Sequence, residues 1–81
     1  MSRRKPLPTP EEIVAAIVDL ADDGFCRRGE LAQRFPDLGE RDLRRAVRRA
    51  IARGLVLERR GPDGGFHLTV TSEGWNRHRA G

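Results

Sequence analysis

The sequence predicts a mostly α domain with a small β-hairpin, an α+β fold in which a three-helix core precedes two strands and a short C-terminal helix. Three observations carry that expectation. Apolar residues recur at helical spacing as far as Gly54, the period changes to two beyond it, and turns bearing glycine or proline punctuate the changes. At 81 residues the chain makes one domain, of a size that buries only about 60% of the surface its unfolded form exposes.

Residues 1–8 hold three cations and two prolines and too little apolar content to fold alone, so they read as a flexible basic arm before a domain at 9–81. In "TPEE" Thr9 is the N-cap of the first helix, Pro10 its first residue, and Glu12 closes a capping box. Ile13, Ala16, Ile17, Leu20 and Ala21 share one face, and "DDG" ends the helix with Gly24 as left-handed cap. A shorter helix lies in "RRGELAQRFP", with Leu31, Ala32 and Phe35 as its buried stripe and Pro36 as its stop. In "PDLGE" Gly39 is the N-cap of the third helix, Glu40 and Asp42 suit the positive end of its dipole, and Leu38 is placed to staple onto Leu43. Gly54 caps that helix. "LVLERR" and "GFHLTVT" then alternate as strands joined by "GPDGG", with Phe66, Leu68 and Val70 toward the core and His67, Thr69 and Thr71 outside. A last helix begins in "TSEGWNRHRA", capped by Thr71, with Trp75 packed inward.

Charge narrows the function classes. Sixteen Lys plus Arg against 12 Asp plus Glu give a net charge of +4, which points to an anionic partner. Fifteen of the cations are arginine, a bias that suits bidentate phosphate or base contacts and that a GC-rich genome also produces. The single cysteine excludes an internal disulfide, and no apolar run reaches the ~18 residues of a membrane span. "MSRRKPLPTP" has a basic start but no apolar region behind it, so a secretory signal is not expected and the protein reads as cytoplasmic and nucleoid-associated. No nucleophile with an adjacent base, phosphate loop or pair of carboxylates in an apolar setting is found; neither an enzyme nor a cofactor is expected. His67 and His78 stand eleven apart without spaced Cys or Glu ligands, which argues against a metal site. Cys26, beside Arg27 and Arg28, is either a thiolate suited to a redox switch or a plain half-buried cysteine. Asp19, Asp22 and Asp23 form an acidic patch that suits solubility and helix ending.

The stretch "ERDLRRAVRRAIARG" carries the strongest signal. Leu43, Ala46, Val47, Ala50 and Ile51 make an apolar stripe; at 100° per residue Arg41, Arg45 and Arg48 lie opposite it, and Arg44 and Arg49 on its flanks. Such a face either meets an anion or stands solvated, with Glu40 pairing Arg44 one turn on. Two acids against six arginines favour the anion.

Helix, helix, helix, hairpin, helix, with three to five residues between the second and third, is an order in which the chain from about Thr9 to Ala80 resembles the winged helix-turn-helix superfamily. "RGELAQRF", "LRRAVRRAIARGLVLER" and "FHLTVTSEGW" carry the resemblance, and they look like the DNA-binding domains of bacterial MarR-like and PadR-like regulators. The sequence departs from those regulators in having neither their long dimerisation helices nor a second, effector-binding domain. The resemblance implies a helix-turn-helix whose third helix lies in a DNA major groove, while the two-stranded wing reaches the backbone or minor groove. Arg41, Arg45 and Arg48 are then candidates for base edges, and Arg44 and Arg49 for phosphates. Arg59, Arg60 and His67 are the candidate wing contacts. Arg3, Arg4 and Lys5 form either a minor-groove arm or a soluble terminus.

The expected partner is double-stranded DNA, with no membrane and no small-molecule effector, and the expected role transcriptional regulation. The protein is expected to be monomeric or weakly homodimeric, pairing on DNA through the terminal helix around Trp75. Two other classes stay open. One is a protein-interaction module for an acidic partner, although nearly every large apolar residue is assigned to the core. The other is a reader of double-stranded RNA or left-handed DNA; on this fold the latter uses Asn and Tyr on the third helix with Pro and Trp in the wing, and only Pro62 is present.

Overall fold

The computed structural model of the protein describes residues 6–21 and 25–80. Expectations resting on Arg3, Arg4, Lys5, Asp22, Asp23 and Gly24 lie outside the described residues. Those described form four helices and a three-stranded antiparallel sheet: α1 (Pro10–Leu20), β1 (Cys26–Arg27), α2 (Arg28–Arg34), α3 (Glu40–Ala52), β2 (Val56–Arg60), β3 (Phe66–Val70) and α4 (Ser72–Ala80).

The helix ends follow their capping chemistry. Thr9 Oγ1 accepts from the Glu12 N–H at 3.1 Å while Glu12 Oε1 accepts from the Thr9 N–H at 3.0 Å, the reciprocal box that the sequence predicts. Gly39 caps α3, and Leu38 behind it packs against the core. At the other end of α3 Gly54 adopts φ +75°, a left-handed conformation that glycine reaches without a Cβ penalty. The Gly54 N–H donates to Ile51 O at 2.9 Å and the Leu55 N–H to Ala50 O at 3.1 Å, the double closure that ends a helix and turns the chain outward. α1 and α3 pack together through Ile13, Val14, Ala16 and Ile17 on one side and Leu43, Ala46, Val47 and Ala50 on the other, all buried. Leu31 of α2 and Leu55, Val56, Leu68 and Cys26 of the sheet complete that core.

The sheet differs from the two strands expected. Its order is β1-β3-β2, because Cys26 and Arg27 pair with Leu68 and His67. Two residues are too short to show a period-two pattern, so β1 exists only through its partner strand. In the same segment Cys26 is fully buried, not half-buried. Register and alternation place Val56, Glu58 and Arg60 on one face with Val70, Leu68 and Phe66. Leu68 and Val56 reach the core, but Phe66, expected inside, lies at the hairpin end beyond it and is 45% exposed. His67, expected outside, is only 8% exposed. The Phe25 ring stacks on it at 4.5 Å, and the Gly61 backbone comes so near that a Cβ there would overlap the imidazole.

Three further expectations are corrected. Ala32 is exposed, so the α2 stripe reduces to Leu31 and, just past the helix end, Phe35, which is half-buried against the core. Trp75 is 42% exposed; the neighbouring Gly74 is buried instead, where a Cβ would strike the Leu55 carbonyl and Val70. Pro8, in the presumed arm, is buried and Leu7 half-buried, so packing begins before Thr9.

Thr71 joins the end of α3 to the start of α4. Its hydroxyl donates to Gly54 O at 2.6 Å and accepts from the Gly74 N–H at 3.0 Å, while its N–H donates to Leu55 O at 3.0 Å. Thr71→Ala should therefore lose about 1–2 kcal/mol in urea denaturation, and Thr71→Ser no more than about 0.5 kcal/mol. Equal losses for both would show that the methyl, not the hydroxyl, matters.

Candidate nucleic-acid interface

Because α3 buries one stripe, its helical period sets the arginines in solvent. Arg41, Arg44, Arg45, Arg48 and Arg49 are all exposed. The structure brings four of them together: Arg41, Arg44, Arg45 and Arg48 line one shallow hollow, with Arg49 outside it. Only Arg44 is paired among the described residues, with Glu40 at 3.5 Å, an exposed one-turn contact worth a few tenths of a kcal/mol. Asp42 lies on α3 itself, but most of the other described acids engage different elements. Asp63 holds Arg27 at 2.8 Å, Asp19 holds Arg34 at 3.0 Å, Glu11 lies 3.7 Å from Arg77, and Glu58 pairs with Arg28. Glu12 and Glu30 are taken by backbone N–H groups at helix starts. The α3 face is thus left with an excess of positive charge.

The hairpin arginines part company. Arg60 shares a strand face with Phe66 and sets its guanidinium 5.3 Å from that ring's centroid. Arg59 pairs in register with His67 and so belongs to the opposite face. His67, enclosed by Phe25 and Gly61, offers little surface for a ligand; its Nε2 lies 3.6 Å from Asp63 Oδ1. The Gly65 N–H, first, and the Arg27 guanidinium hold the Asp63 carboxyl below the usual carboxylate range.

Residues missed by the sequence reading border the same region. Arg44 and Arg48 also line a second cleft with Val47 and Ile51 of α3, Arg28 of α2, and Glu58 and Phe66 of the hairpin. Nothing local marks Arg28 or Glu58, since only the fold brings α2 and β2 side by side. The assembled surface can accept phosphate oxygens or base-edge acceptors along α3, with further guanidinium groups at its edge. No group of residues suited to hold a metal ion occurs among the described residues, and no described helix is long and apolar enough to cross a membrane. The chain matches no protein-family model, and comparison with curated proteins and with solved structures finds no significant similarity.

Cys26 is the remaining chemical candidate. Burial, with Glu30 nearby, pushes its thiol up from 9.0 to about 11, so the adjoining arginines do not make it a thiolate. A raised folded value means that this group favours the native state fully below 9.0 and loses that contribution as pH rises toward 11. Native protein at neutral pH should leave Cys26 unmodified by a thiol reagent until denaturant is added. Cys26→Ala should flatten the part of the alkaline stability loss that lies in that window. Rapid native labelling would overturn the assignment.

Proposed function

We propose that the protein is a small winged helix-turn-helix protein that binds double-stranded DNA as a transcriptional regulator. In this reading α3 is the recognition helix and lies in the major groove, α2 braces it, and the β2–β3 hairpin is the wing, set against the backbone. One observation carries the proposal: four arginines of α3 line a single hollow, and of the acids in ion pairs among the described residues only Glu40 engages one of them. Self-repulsion on such a face is relieved by a polyanion, and arginine serves both phosphates and the O6 and N7 of guanine. Arg45 and Arg48 are the base-edge candidates, and Arg44 and Arg60 the phosphate candidates.

A second reading draws on the exposed apolar residues. Phe25, Leu57, Phe66 and Trp75 all stand in solvent, which removes part of the case against a protein-docking role. An acidic protein partner would meet the same arginines.

Anisotropy titrations with a labelled duplex at several salt concentrations separate the two. If about four to six phosphates are neutralised, log K should fall against log salt with a slope near −4 to −5, at about 0.9 per contact. The Arg45→Ala, Arg48→Ala double variant should keep its melting point within a few degrees, since exposed changes of this kind move stability by about 0.5 kcal/mol or less. On a site selected from a random library each change should cost roughly 1–3 kcal/mol, with smaller losses on random duplex. A flat salt response, or full affinity in the double variant, would leave the acidic protein as the better partner.

A further inference from the structure

The two hollows beside α3 meet at Arg44 and Arg48, which line both. The second opens between α3 and the β2–β3 hairpin. Its volume of about 230 Å³ falls below the ~300–1,000 Å³ of pockets that enclose a whole small molecule. It suits a single polar group carried on a larger ligand.

Glu58 is the unusual lining residue there, a carboxylate among Arg28, Arg44 and Arg48. It accepts a hydrogen bond from Arg28 Nη2, across 30 residues of sequence. Arg28 has poor use of its donors: its Nε is sealed from solvent without an acceptor among the described residues. A guanidinium pairs best when a fork of two N–H groups meets two oxygens, and the Arg28–Glu58 contact is one-armed. Both side chains keep access to solvent, at 33% and 27% exposed. The Phe66 ring, 5.8 Å from the Arg28 guanidinium carbon, bounds the cleft on the hairpin side.

We propose that this cleft is a phosphate site and that Glu58 stands in for the phosphate in the free protein. An arriving backbone phosphate takes Arg28 from Glu58 and is held by Arg28 and Arg44 together, which leaves Arg48 to the base edges. The inference rests on duplex DNA as the partner and adds to it a contact residue from α2 and a resident competitor from β2. A phosphodiester carries the same single charge as the carboxylate, so Arg28 exchanges one anion for another while Arg44 gains one. Glu58, already open to water, returns to it.

Titration of a labelled duplex into single and double variants tests the exchange. Glu58→Gln should tighten binding about three- to tenfold, because the competitor is removed. Arg28→Ala should weaken binding and lower the salt slope by about one. In the double variant the gain from Glu58→Gln should vanish, and Glu73→Gln, a change outside the cleft, should alter affinity by less than about twofold. An equal gain with and without Arg28 overturns the proposal in favour of a general field effect. Should a variant unfold, the parent protein still decides: its Arg28 Nε–H resonance should move on duplex titration, and a fixed resonance with duplex bound refutes the site. If duplex does not bind at all, the DNA reading fails by itself. Inorganic pyrophosphate then tests the cleft alone, with a shift of the same resonance supporting an anion site and no shift sinking it.

Discussion

Leu43, Ala46, Val47 and Ala50 lock α3 against α1, and the exposed surface of the protein is organised around that contact. Each buried large aliphatic contributes about 1.5–3 kcal/mol, whereas a like-charged pair one helical turn apart costs only a few tenths. Arg41 and Arg45, Arg44 and Arg48, and Arg45 and Arg49 are such pairs. Burial of the stripe therefore outweighs the repulsion along the opposite face. Were the order reversed, the helix would fray before it could present a charged surface.

Pairing elsewhere sharpens that surface. Exposed ion pairs contribute at most about 1 kcal/mol each, so the contacts of Arg27, Arg34 and Arg77 do little for stability by themselves. Their effect is on distribution. Asp63, Asp19 and Glu11 lie on other elements and meet arginines there, while on α3 the exposed arginines outnumber the acids.

The hairpin is held in relation to that face by two successive residues. Arg27, at the end of β1, reaches Asp63 in the hairpin loop, and Arg28, at the start of α2, reaches Glu58 in β2. Phe25 stacks on His67 of β3 from the same short segment. The connection between α1 and α2 thus fixes the hairpin next to α3, and Thr71 fixes its far end to the close of that helix. The cleft that Arg44 and Arg48 share with Arg28, Glu58 and Phe66 follows from that arrangement, whereas the hollow lined by four arginines of α3 follows from the helix alone.

Local chemistry made much of this legible in the sequence. The Thr9–Glu12 box, Gly39, Gly54 and the Thr71 cap act over a few residues, and the α3 stripe and its arginine face follow from a fixed period. Membership of a strand face was legible too, but depth was not. Phe66 lies on the inward face yet past the end of the core, and His67 on the outward face yet covered by Phe25 and Gly61. Burial depends on what the rest of the chain lays over a residue, and no period encodes that. For the same reason β1, the exposure of Trp75, and the meeting of Arg28, Glu58 and Phe66 beside α3 were decided only by tertiary structure. The sequence by itself determined the helices, the hairpin and the charged helix face; long-range packing determined which residues share that face.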